Sequence, residues 1–300
     1  MNTLNLDIQN TTDNIHRLAA QKELYNIGKK IFLLQFILTV PVTIALSLTK
    51  VLLTIFFHID IAWLPGVYGL VLTIFDLTVI QGAISNRRTE AAKIQEAFDT
   101  SVFDLPWNKF VAGKKPEIEV INKYFRKLER RDKTGDIINK LYNWYPQEVA
   151  QTTVLKAILI CQKSSINYDF SLRERFKKII FISASITFLL LIAFALIENL
   201  SIRPAFVQVI LPFLPVLTLT IKQHQEHSKS NKNLQELKSY LDEHIQSTGM
   251  EDNLSVEVIR NIQNRIYMNR RDSPLIPERL YNKLRNSLEK EMHDNAASLT

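Results

Sequence analysis

Two long apolar blocks constrain the fold of this chain more than any other feature. Each block consists of two apolar runs separated by a few polar residues, namely residues 32–57 and 61–80 in the first block and residues 179–197 and 205–221 in the second. A helix needs about 20 apolar residues to cross the roughly 30 Å hydrocarbon layer of a bilayer. The four runs contain only Lys50 and Asp76 as charged residues, which argues against buried hairpins of a soluble protein. We therefore predict two helical hairpins that span a membrane.

The segment before the first apolar run and the single cysteine bear on the cellular compartment. Residues 1–31 are polar, with Asp7, Asp13 and Glu23, and contain no small-residue cleavage site, so we expect no signal peptide. Cys161 cannot form a disulfide within the chain, which fits a reducing compartment. Because it lies in an apolar stretch, it is expected to be a small core residue.

Basic residues predict which side of the membrane each polar segment occupies. Of the 37 Lys and Arg residues, 35 lie in residues 1–31, 82–178 and 222–300. Basic segments near a membrane stay in the cytoplasm, so both termini and the long middle segment are predicted to be cytoplasmic. The middle segment has 19 basic and 12 acidic residues and carries the whole net charge of +7. It is expected either to lie against anionic lipid head groups or to bind an anionic ligand such as a nucleotide, and both alternatives stay open.

The polar segments have helical periodicity, and no run alternates convincingly with a period of two. We therefore predict an all-α integral membrane protein with four transmembrane helices in two hairpins and a helical cytoplasmic domain. Its predicted segments are a cytoplasmic N-terminal segment (1–31), transmembrane hairpin 1 (32–81), a basic cytoplasmic helical segment (82–178), transmembrane hairpin 2 (179–221) and a cytoplasmic helical tail (222–300).

Several cytoplasmic segments place apolar residues along one helical face. Residues 86–98 should continue the second span inward, and residues 147–162, which follow Pro146, are apolar enough for a core helix. Ser255 is positioned to cap a later helix. The apolar faces are expected to form the core or to contact other subunits. They are Ile118, Ile121, Phe125 and Leu128; Leu234, Leu237, Leu241 and Ile245; Ile259, Ile262 and Ile266; and Leu280, Leu284, Leu288 and Met292.

The sequence offers no recognisable machinery for catalysis. The seven glycines are scattered singly and form no loop that would cradle a phosphate or a dinucleotide. His224 and His227 are one helical turn apart, but no third ligand stands at the spacing of a metal site. The Ser, His and Asp residues assemble no nucleophile motif. We therefore expect no enzyme activity, no catalytic residues, no metal and no cofactor.

Polar residues and prolines stand out within the apolar runs. A carboxylate inside a membrane is costly unless it faces a partner or water, so Asp76 is expected either to line an ion path or to be hydrogen-bonded within the bundle. Both alternatives stay open. Lys50 lies late in the first run and is expected to snorkel to the outer interface. Pro41, Pro212 and Pro215 are expected to kink their helices, which suits a bundle that rearranges.

The order of several motifs around the two hairpins is similar to that of a known family. The motifs are "IHRLAAQKELYNIGKK" (15–30), "IQEAFDTSVFDLPWN" (94–108), "NWYP" (143–146), "CQKSSINYDFSLRERF" (161–176) and "RRDSPLIPERLYNKLRNSLEKEM" (270–292). In this order the chain resembles the SMODS-associating four-transmembrane effector family, which is found beside cyclic-nucleotide synthases in bacterial antiphage signalling. The resemblance covers nearly the whole chain.

The resemblance implies a multi-pass effector of the bacterial inner membrane that a cyclic oligonucleotide switches on and that then permeabilises this membrane. Since a packed four-helix bundle has no room for a lumen, we expect a homo-oligomer, with the faces that start at Leu234 and Leu280 as candidate contacts. The expected partners are a cyclic oligonucleotide, inner-membrane lipids and further copies of the chain, and no DNA or RNA polymer is expected. A membrane signalling scaffold without a pore and an ion channel or transporter subunit are the alternatives.

Candidate ligand-binding residues follow from the chemistry of a cyclic oligonucleotide. Its phosphodiester charges call for Arg or Lys, and its flat bases call for aromatic stacking. Basic and aromatic residues coincide at the candidates Trp144, Tyr145, Arg173, Arg126 and Arg130. Arg173 and Trp144 are the leading pair, because both lie in the motifs of the resemblance and Arg173 is close to the third span. The stretch "VFDLPWNKF" (102–110) is expected to belong to the same sensor, with its aromatic rings packed against neighbouring helices.

Overall fold

The computed structural model describes residues 4–197, 201, 210–246 and 255–278. Within these residues all regular structure is helical, which confirms the all-α prediction. The α-helices are α1 (Thr12–Thr39), α2 (Pro41–Phe57), α3 (Trp63–Phe75), α4 (Gln81–Val102), α5 (Lys109–Ala112), α6 (Ile118–Arg131), α7 (Asp136–Asn139), α8 (Val154–Ile197), α9 (Leu211–Gln246) and α10 (Val256–Asp272). Short 3-10 helices lie at Leu6–Asn10 and Gln147–Gln151, and a π-helical turn lies at Asp76–Ile80.

Three helical stretches in the described part of the chain are long and apolar enough to cross a membrane. They are Thr12–Phe57, Trp63–Val102 and Val154–Ile197. A helix of 44 residues such as α8 is about 66 Å long, so it exceeds the roughly 30 Å that the hydrocarbon layer requires. The chain is therefore an all-α membrane protein whose spanning helices continue into polar sequence. Residues 205–209, which begin the predicted fourth span, lie outside the described residues.

The chain divides into two compact units. The membrane unit comprises Lys29–Ile84 and Glu174–Ser228. The polar unit comprises Met1–Gly28, Ser85–Arg173 and Lys229–Thr300. The chain passes from one unit to the other inside helices, because α1, α4, α8 and α9 each contribute residues to both units.

The first interruption of the membrane helices lies where the sequence predicts it. Pro41 is the first residue of α2, directly after Val40, whose φ of −101° and ψ of −68° depart from a regular helix. Proline cannot donate a backbone hydrogen bond and disturbs the preceding turn, so the helix is irregular at Val40, where the sequence predicts a kink at Pro41. A second interruption, the π-helical turn Asp76–Ile80, joins α3 to α4 without ending the helix.

The membrane unit has an apolar core and an apolar surface. Its core joins Val40 to side chains of α8 and α9, and the rings of Phe188 and Phe213 lie 4.9 Å apart. Its surface exposes many large apolar side chains, which is the distribution that contact with lipid favours. Examples are Leu52, Phe56, Leu70, Ile74, Phe181 and Leu189.

The polar unit buries a helical core of its own. Leu234, Leu237 and Leu241 on α9 pack in it together with the predicted isoleucines of α10, which are Ile259, Ile262 and Ile266. Ser255 caps α10 as predicted, since its hydroxyl accepts a hydrogen bond from the Val258 N–H at 3.2 Å. Because the leucine face of α9 is buried within one chain, its proposed role as an oligomer contact is wrong. Ile245 and the face from Leu280 to Met292 lie outside the described side chains.

Two local predictions in the polar unit are wrong. The core helix expected from residue 147 begins only at Val154, because Gln147–Gln151 form a 3-10 helix and Thr152 has an extended backbone. In α6, Ile121 and Leu128 are buried as predicted, but Ile118 is 71% exposed because it lies in the first turn, beyond the packed part of the helix.

The stretch of residues 102–110 packs largely as predicted. Phe103 is buried, and its ring centroid lies 5.0 Å from that of Tyr145. Trp107 packs with Tyr267 of α10, and its indole N–H donates to the Gly113 carbonyl at 2.8 Å. Phe110 is the exception, because its side chain is fully exposed.

Candidate functional site

The core of the polar unit contains charged side chains, and Asp99 of α4 is at their centre. Its side chain is fully buried. Arg270 donates a short hydrogen bond to one carboxylate oxygen, and Gln263 donates to the same oxygen at 2.9 Å. The Tyr145 hydroxyl donates to the other oxygen at 2.8 Å. Buried charges are tolerated when they are paired and hydrogen-bonded in this way, so Asp99 ties α4 to α10 and to the segment before α8.

Glu96 lies one turn before Asp99 and forms the second charged contact between α4 and α10. Its carboxylate accepts hydrogen bonds from Arg260 and, at 2.8 Å, from Gln263. Burial raises the pKa of Glu96 to about 7, and the Asp99 carboxylate acts in the same direction, whereas Arg260 lowers the pKa. Arg260 is itself fixed by Asn264, whose side-chain oxygen accepts from it at 2.7 Å.

Two further arginines bind the segment that follows α10. Arg88 of α4 donates to the Ser273 carbonyl at 3.0 Å, and Arg173 of α8 donates to the Pro274 carbonyl at 2.9 Å. Arg173 also pairs with Asp169, with 2.9 Å between Nε and Oδ2. Two of the guanidinium contacts are therefore made to neutral carbonyls, which a phosphate oxygen would surpass as a hydrogen-bond acceptor.

Tyr25 of α1 interacts electrostatically with three of these arginines, Arg88, Arg173 and Arg270. Burial raises the pKa of Tyr25 to about 12, and Arg270, Arg173 and Arg88 lower this pKa while Asp169 raises it. Tyr25, Arg88 and Asp169 remain partly exposed to solvent. We name this group of residues the arginine cluster; it consists of Tyr25, Arg88, Asp169, Arg173, Arg270 and the carbonyls of Ser273 and Pro274. The arginine cluster combines an aromatic ring, which can stack on a base, with three guanidinium groups, which can donate hydrogen bonds to phosphates.

The family of the chain follows from a match over almost its whole length. The family model of the SMODS-associating 4TM effector domain matches residues 6–299 and so takes in both units. The chain belongs to this family. A probable CBASS effector molecule of Bacillus cereus (strain VD146) is 26% identical over 284 residues, which cover 92% of this chain and 91% of that protein. No solved structure matches the chain.

Family membership confirms the resemblance stated from the sequence, and its motifs meet in one place. The motif of residues 15–30 supplies Tyr25, that of residues 161–176 supplies Asp169 and Arg173, and that of residues 270–292 supplies Arg270, Ser273 and Pro274. The motifs of residues 94–108 and 143–146 supply Asp99 and Tyr145, which bind each other, and Asp99 also binds Arg270. The segments on which the resemblance rests therefore each contribute a residue to the arginine cluster or to the adjoining Asp99 contacts.

The structure separates the sequence-predicted ligand residues of the effector into three places. Arg173 lies in the arginine cluster. Trp144 and Tyr145 pack on the core residue Phe98, with ring centroids 6.5 Å and 6.0 Å from it. The remaining two candidates, Arg126 and Arg130, are exposed on α6. The leading pair, Arg173 and Trp144, thus belongs to one unit but to different contacts, and a role of any of these residues in binding stays a prediction.

Asp76 lies in the membrane unit of the effector and is hydrogen-bonded. Its carboxylate accepts from the Gln35 amide at 2.6 Å and from the Gln81 amide at 3.2 Å. This is the geometry of the second sequence alternative, a polar contact inside the bundle, whereas an ion path past Asp76 stays a prediction. Among the described residues, no three metal-ligating side chains come together.

Glu96, Asp99, Arg260 and Arg270 were not among the candidate residues predicted from the sequence. A usable signal is present in the helical spacing, because Glu96 and Asp99 share a face with the buried Ala92 and Phe103. Charged residues on a face of small and aromatic residues are expected to be buried and paired with opposite charges.

Proposed function

We propose that this effector binds a cyclic oligonucleotide in its polar unit, oligomerises in response and permeabilises the bacterial inner membrane during antiphage defence. The match of the SMODS-associating 4TM effector domain to residues 6–299 carries the proposal, since it includes the membrane unit and the polar unit together. The relative in Bacillus cereus, described as a probable CBASS effector molecule, supports the same role. In this proposal the protein is not an enzyme, and its partners are the cyclic oligonucleotide, membrane lipids and further copies of the chain.

The ligand site in this proposal is the arginine cluster. A phosphodiester oxygen would replace the Ser273 and Pro274 carbonyls as the acceptor of Arg88 and Arg173, because charge-assisted hydrogen bonds are stronger than those to neutral oxygens. Tyr25 would stack against a base. Such an exchange releases the segment that starts at Ser273 and alters the contacts of α8 and α4, two of the helices that also contribute to the membrane unit.

Vesicle leakage tests the permeabilising activity. The purified full-length chain is reconstituted into vesicles filled with a self-quenched dye, and a panel of cyclic di- and trinucleotides is added one at a time. We expect dye release with at least one of them, together with ligand-enhanced multimers on crosslinking. A chain that binds a cyclic nucleotide but releases no dye and stays monomeric would support a signalling scaffold instead of a pore.

Binding by variants tests the site. Arg88→Lys and Arg173→Lys keep the positive charge but lose the guanidinium fork, so each should weaken binding by roughly tenfold to a hundredfold, as the loss of a charge-assisted bond of about 1.5–3 kcal/mol implies. The matched control is Arg126→Ala with Arg130→Ala, because these exposed side chains contribute little to folding. Binding is measured by calorimetry on detergent-purified protein. If only the control variant lost binding, the ligand site would lie on α6 instead.

Reporter fusions test the orientation, in which both termini and the polar unit are cytoplasmic. The proposal rests on the 35 of 37 Lys and Arg residues that lie outside the apolar blocks and their short connections. Alkaline phosphatase, which is active only in the periplasm, should be active when fused after Asp60 and inactive when fused after Lys115. Activity after Lys115 would contradict the orientation.

A further inference from the structure

A line of buried polar side chains runs along the first membrane helix. Its members, which we name the polar file, are Gln35, Thr39, Thr43, Ser47 and Lys50, and each is at most 5% exposed. They recur at intervals of four, four, four and three residues, which places them on one face of α1 and α2. From Gln35 to Lys50 the file extends about 22 Å along the helix, about three quarters of the hydrocarbon thickness.

Two hydroxyl groups of the file have no hydrogen-bond partner among the described residues. They are Thr43 Oγ1 and Ser47 Oγ, and Gln35 Oε1 is in the same condition. Other hydroxyls in the apolar helices bind the carbonyl four residues earlier, as Thr39, Thr54 and Thr73 do at 2.8–3.0 Å. The Thr43 and Ser47 hydroxyls of the file therefore differ from these neighbouring hydroxyls, and they lie on the same face of the helix.

Buried polar atoms without a protein partner point to water as the partner. Polar groups at membrane depth must be satisfied, and those that the protein does not satisfy lie along water-filled cavities. The polar file does not face lipid, because the exposed face of α2 lies on the opposite side of the helix. Leu52 lies nine residues after Thr43, which is about 180° around the helix, and it is 44% exposed.

The file is anchored at its first residue by a second polar group. The Gln35 amide donates to Asp76 at 2.6 Å, and Asp76 begins the π-helical turn Asp76–Ile80. π-Helical turns within α-helices occur frequently at functional sites. The break at Pro41 falls between Thr39 and Thr43, so the helix that carries the file also has a point where its two halves can move.

We propose that the polar file holds a chain of water molecules inside the membrane unit and forms a wall of the path that ions take when the effector opens. The second half of this inference rests on the proposed permeabilising function, whereas the hydration of the file does not. The ligand class is water and small hydrated ions.

Cysteine labelling tests the hydration. Thr43→Cys and Ser47→Cys are treated in vesicles with a charged, water-soluble methanethiosulfonate, and Leu48→Cys and Leu52→Cys, on the exposed face, are the matched controls. The native Cys161 provides a silent background, because it lies in the apolar core of the polar unit, where burial raises the pKa of its thiol. We expect labelling at positions 43 and 47 to be at least about tenfold faster than at 48 and 52, since only a hydrated thiol ionises. Equal or slower labelling at 43 and 47 overturns the proposal.

Vesicle leakage by a variant that lacks the two unpartnered hydroxyl groups tests the ion path. The double variant Thr43→Val and Ser47→Ala removes both unpartnered hydroxyls at nearly constant volume, so it should melt at the same temperature as the parent or higher. Cyclic-nucleotide-triggered dye or ion release should nevertheless fall by about an order of magnitude, whereas Leu52→Val should leave it unchanged. Unchanged release by the double variant overturns the path. A parent that binds cyclic nucleotide but releases nothing contradicts the proposed function alone, and the labelling rates then still decide the hydration.

Discussion

The buried pair of Asp99 and Arg270 is predicted to be a principal attachment between α4 and α10. The Asp99 side chain is fully buried and Arg270 is 14% exposed, so an unpaired charge at either residue would be poorly hydrated. Asp99→Asn keeps the shape but removes the negative charge, and its amide nitrogen would face a donor where a carboxylate oxygen now accepts. Leaving one charge of a buried pair without its partner costs about 3–5 kcal/mol.

This loss is large enough to measure on the full chain. For a folding unit of 150–250 residues, about 2–4 °C of melting temperature correspond to 1 kcal/mol, so Asp99→Asn should lower the melting temperature by roughly 10 °C. Tryptophan fluorescence during heating in detergent is a suitable assay, because Trp144 lies 6.5 Å from Phe98 in the same core. The control is Glu117→Gln, since the Lys114–Glu117 pair is solvent-exposed and its loss should leave the melting temperature unchanged.

A double variant identifies the pair as the cause. Adding Arg270→Met to Asp99→Asn removes both charges, and apolar replacement of a whole buried pair is often close to neutral. The double variant should therefore melt above Asp99→Asn alone, which gives a favourable coupling energy between the two sites. The reasoning is refuted if Asp99→Asn melts within about 2 °C of the parent, or if the double variant loses the sum of the two single losses.

The remaining predictions concern titration, packing space and the core. The pKa of Glu96 is raised to about 7 in the folded chain, so the folded state holds a proton that the unfolded state releases, and stability should fall as the pH rises from about 5 to about 7. Melting temperatures across this range should show a smaller pH dependence for Glu96→Gln, and an identical dependence would contradict the assignment. Gly82→Ala, which meets no neighbour within 4 Å, should be neutral or stabilising by up to about 1 kcal/mol, whereas Gly28→Ala should stabilise less than this, because its Cβ would lie 2.6 Å from the side-chain end of Leu275 and displace it. Leu237→Ala should cost about 2–5 kcal/mol, and a loss as small as that of an exposed leucine would show that α9 is not core.

The membrane part of the fold was predictable because the bilayer imposes a simple rule. A spanning segment must be apolar and must satisfy its own backbone, so a run of apolar residues predicts a helix with few alternatives. The same reasoning placed the break at Pro41, where the missing N–H leaves a defined local consequence. It could not predict the π-helical turn at Asp76–Ile80, since one additional residue in a helical turn leaves almost no mark on hydropathy.

The wrong predictions in the polar unit concern apolar residues whose burial depends on tertiary packing, which helical periodicity does not show. Ile118 matches the apolar spacing of α6, yet it is exposed in the first turn of this helix, which none of the described elements covers. The leucine face of α9 suited both a core and a subunit contact, because periodicity shows that a face is apolar but not what covers it. Burial at Leu237 was decided by α10, a helix that follows only after residues 247–254.

The contacts of the candidate site could be predicted from the sequence only in part. Arg173 was chosen because it lies in a motif of the resemblance, but its neighbours Arg88 and Pro274 are distant in sequence, and neither periodicity nor composition relates them. The motifs themselves contained the missing information. Each of the segments that carry the resemblance contributes a residue to the arginine cluster or to the adjoining contacts of Asp99.

That convergence argues for a functional site over a purely structural one. Packing alone would be served by apolar side chains, since replacing a buried ion pair by apolar residues is often neutral or stabilising. The three guanidinium groups that interact electrostatically with the partly exposed Tyr25 instead retain charge at a desolvation cost, beside side chains that solvent reaches. These are the properties that an anionic ligand with flat bases requires, and that a sealed core does not. The Lys-for-Arg variants at Arg88 and Arg173 separate the two roles, because a purely structural role predicts unchanged affinity of the folded variants, whereas a ligand site predicts weaker binding.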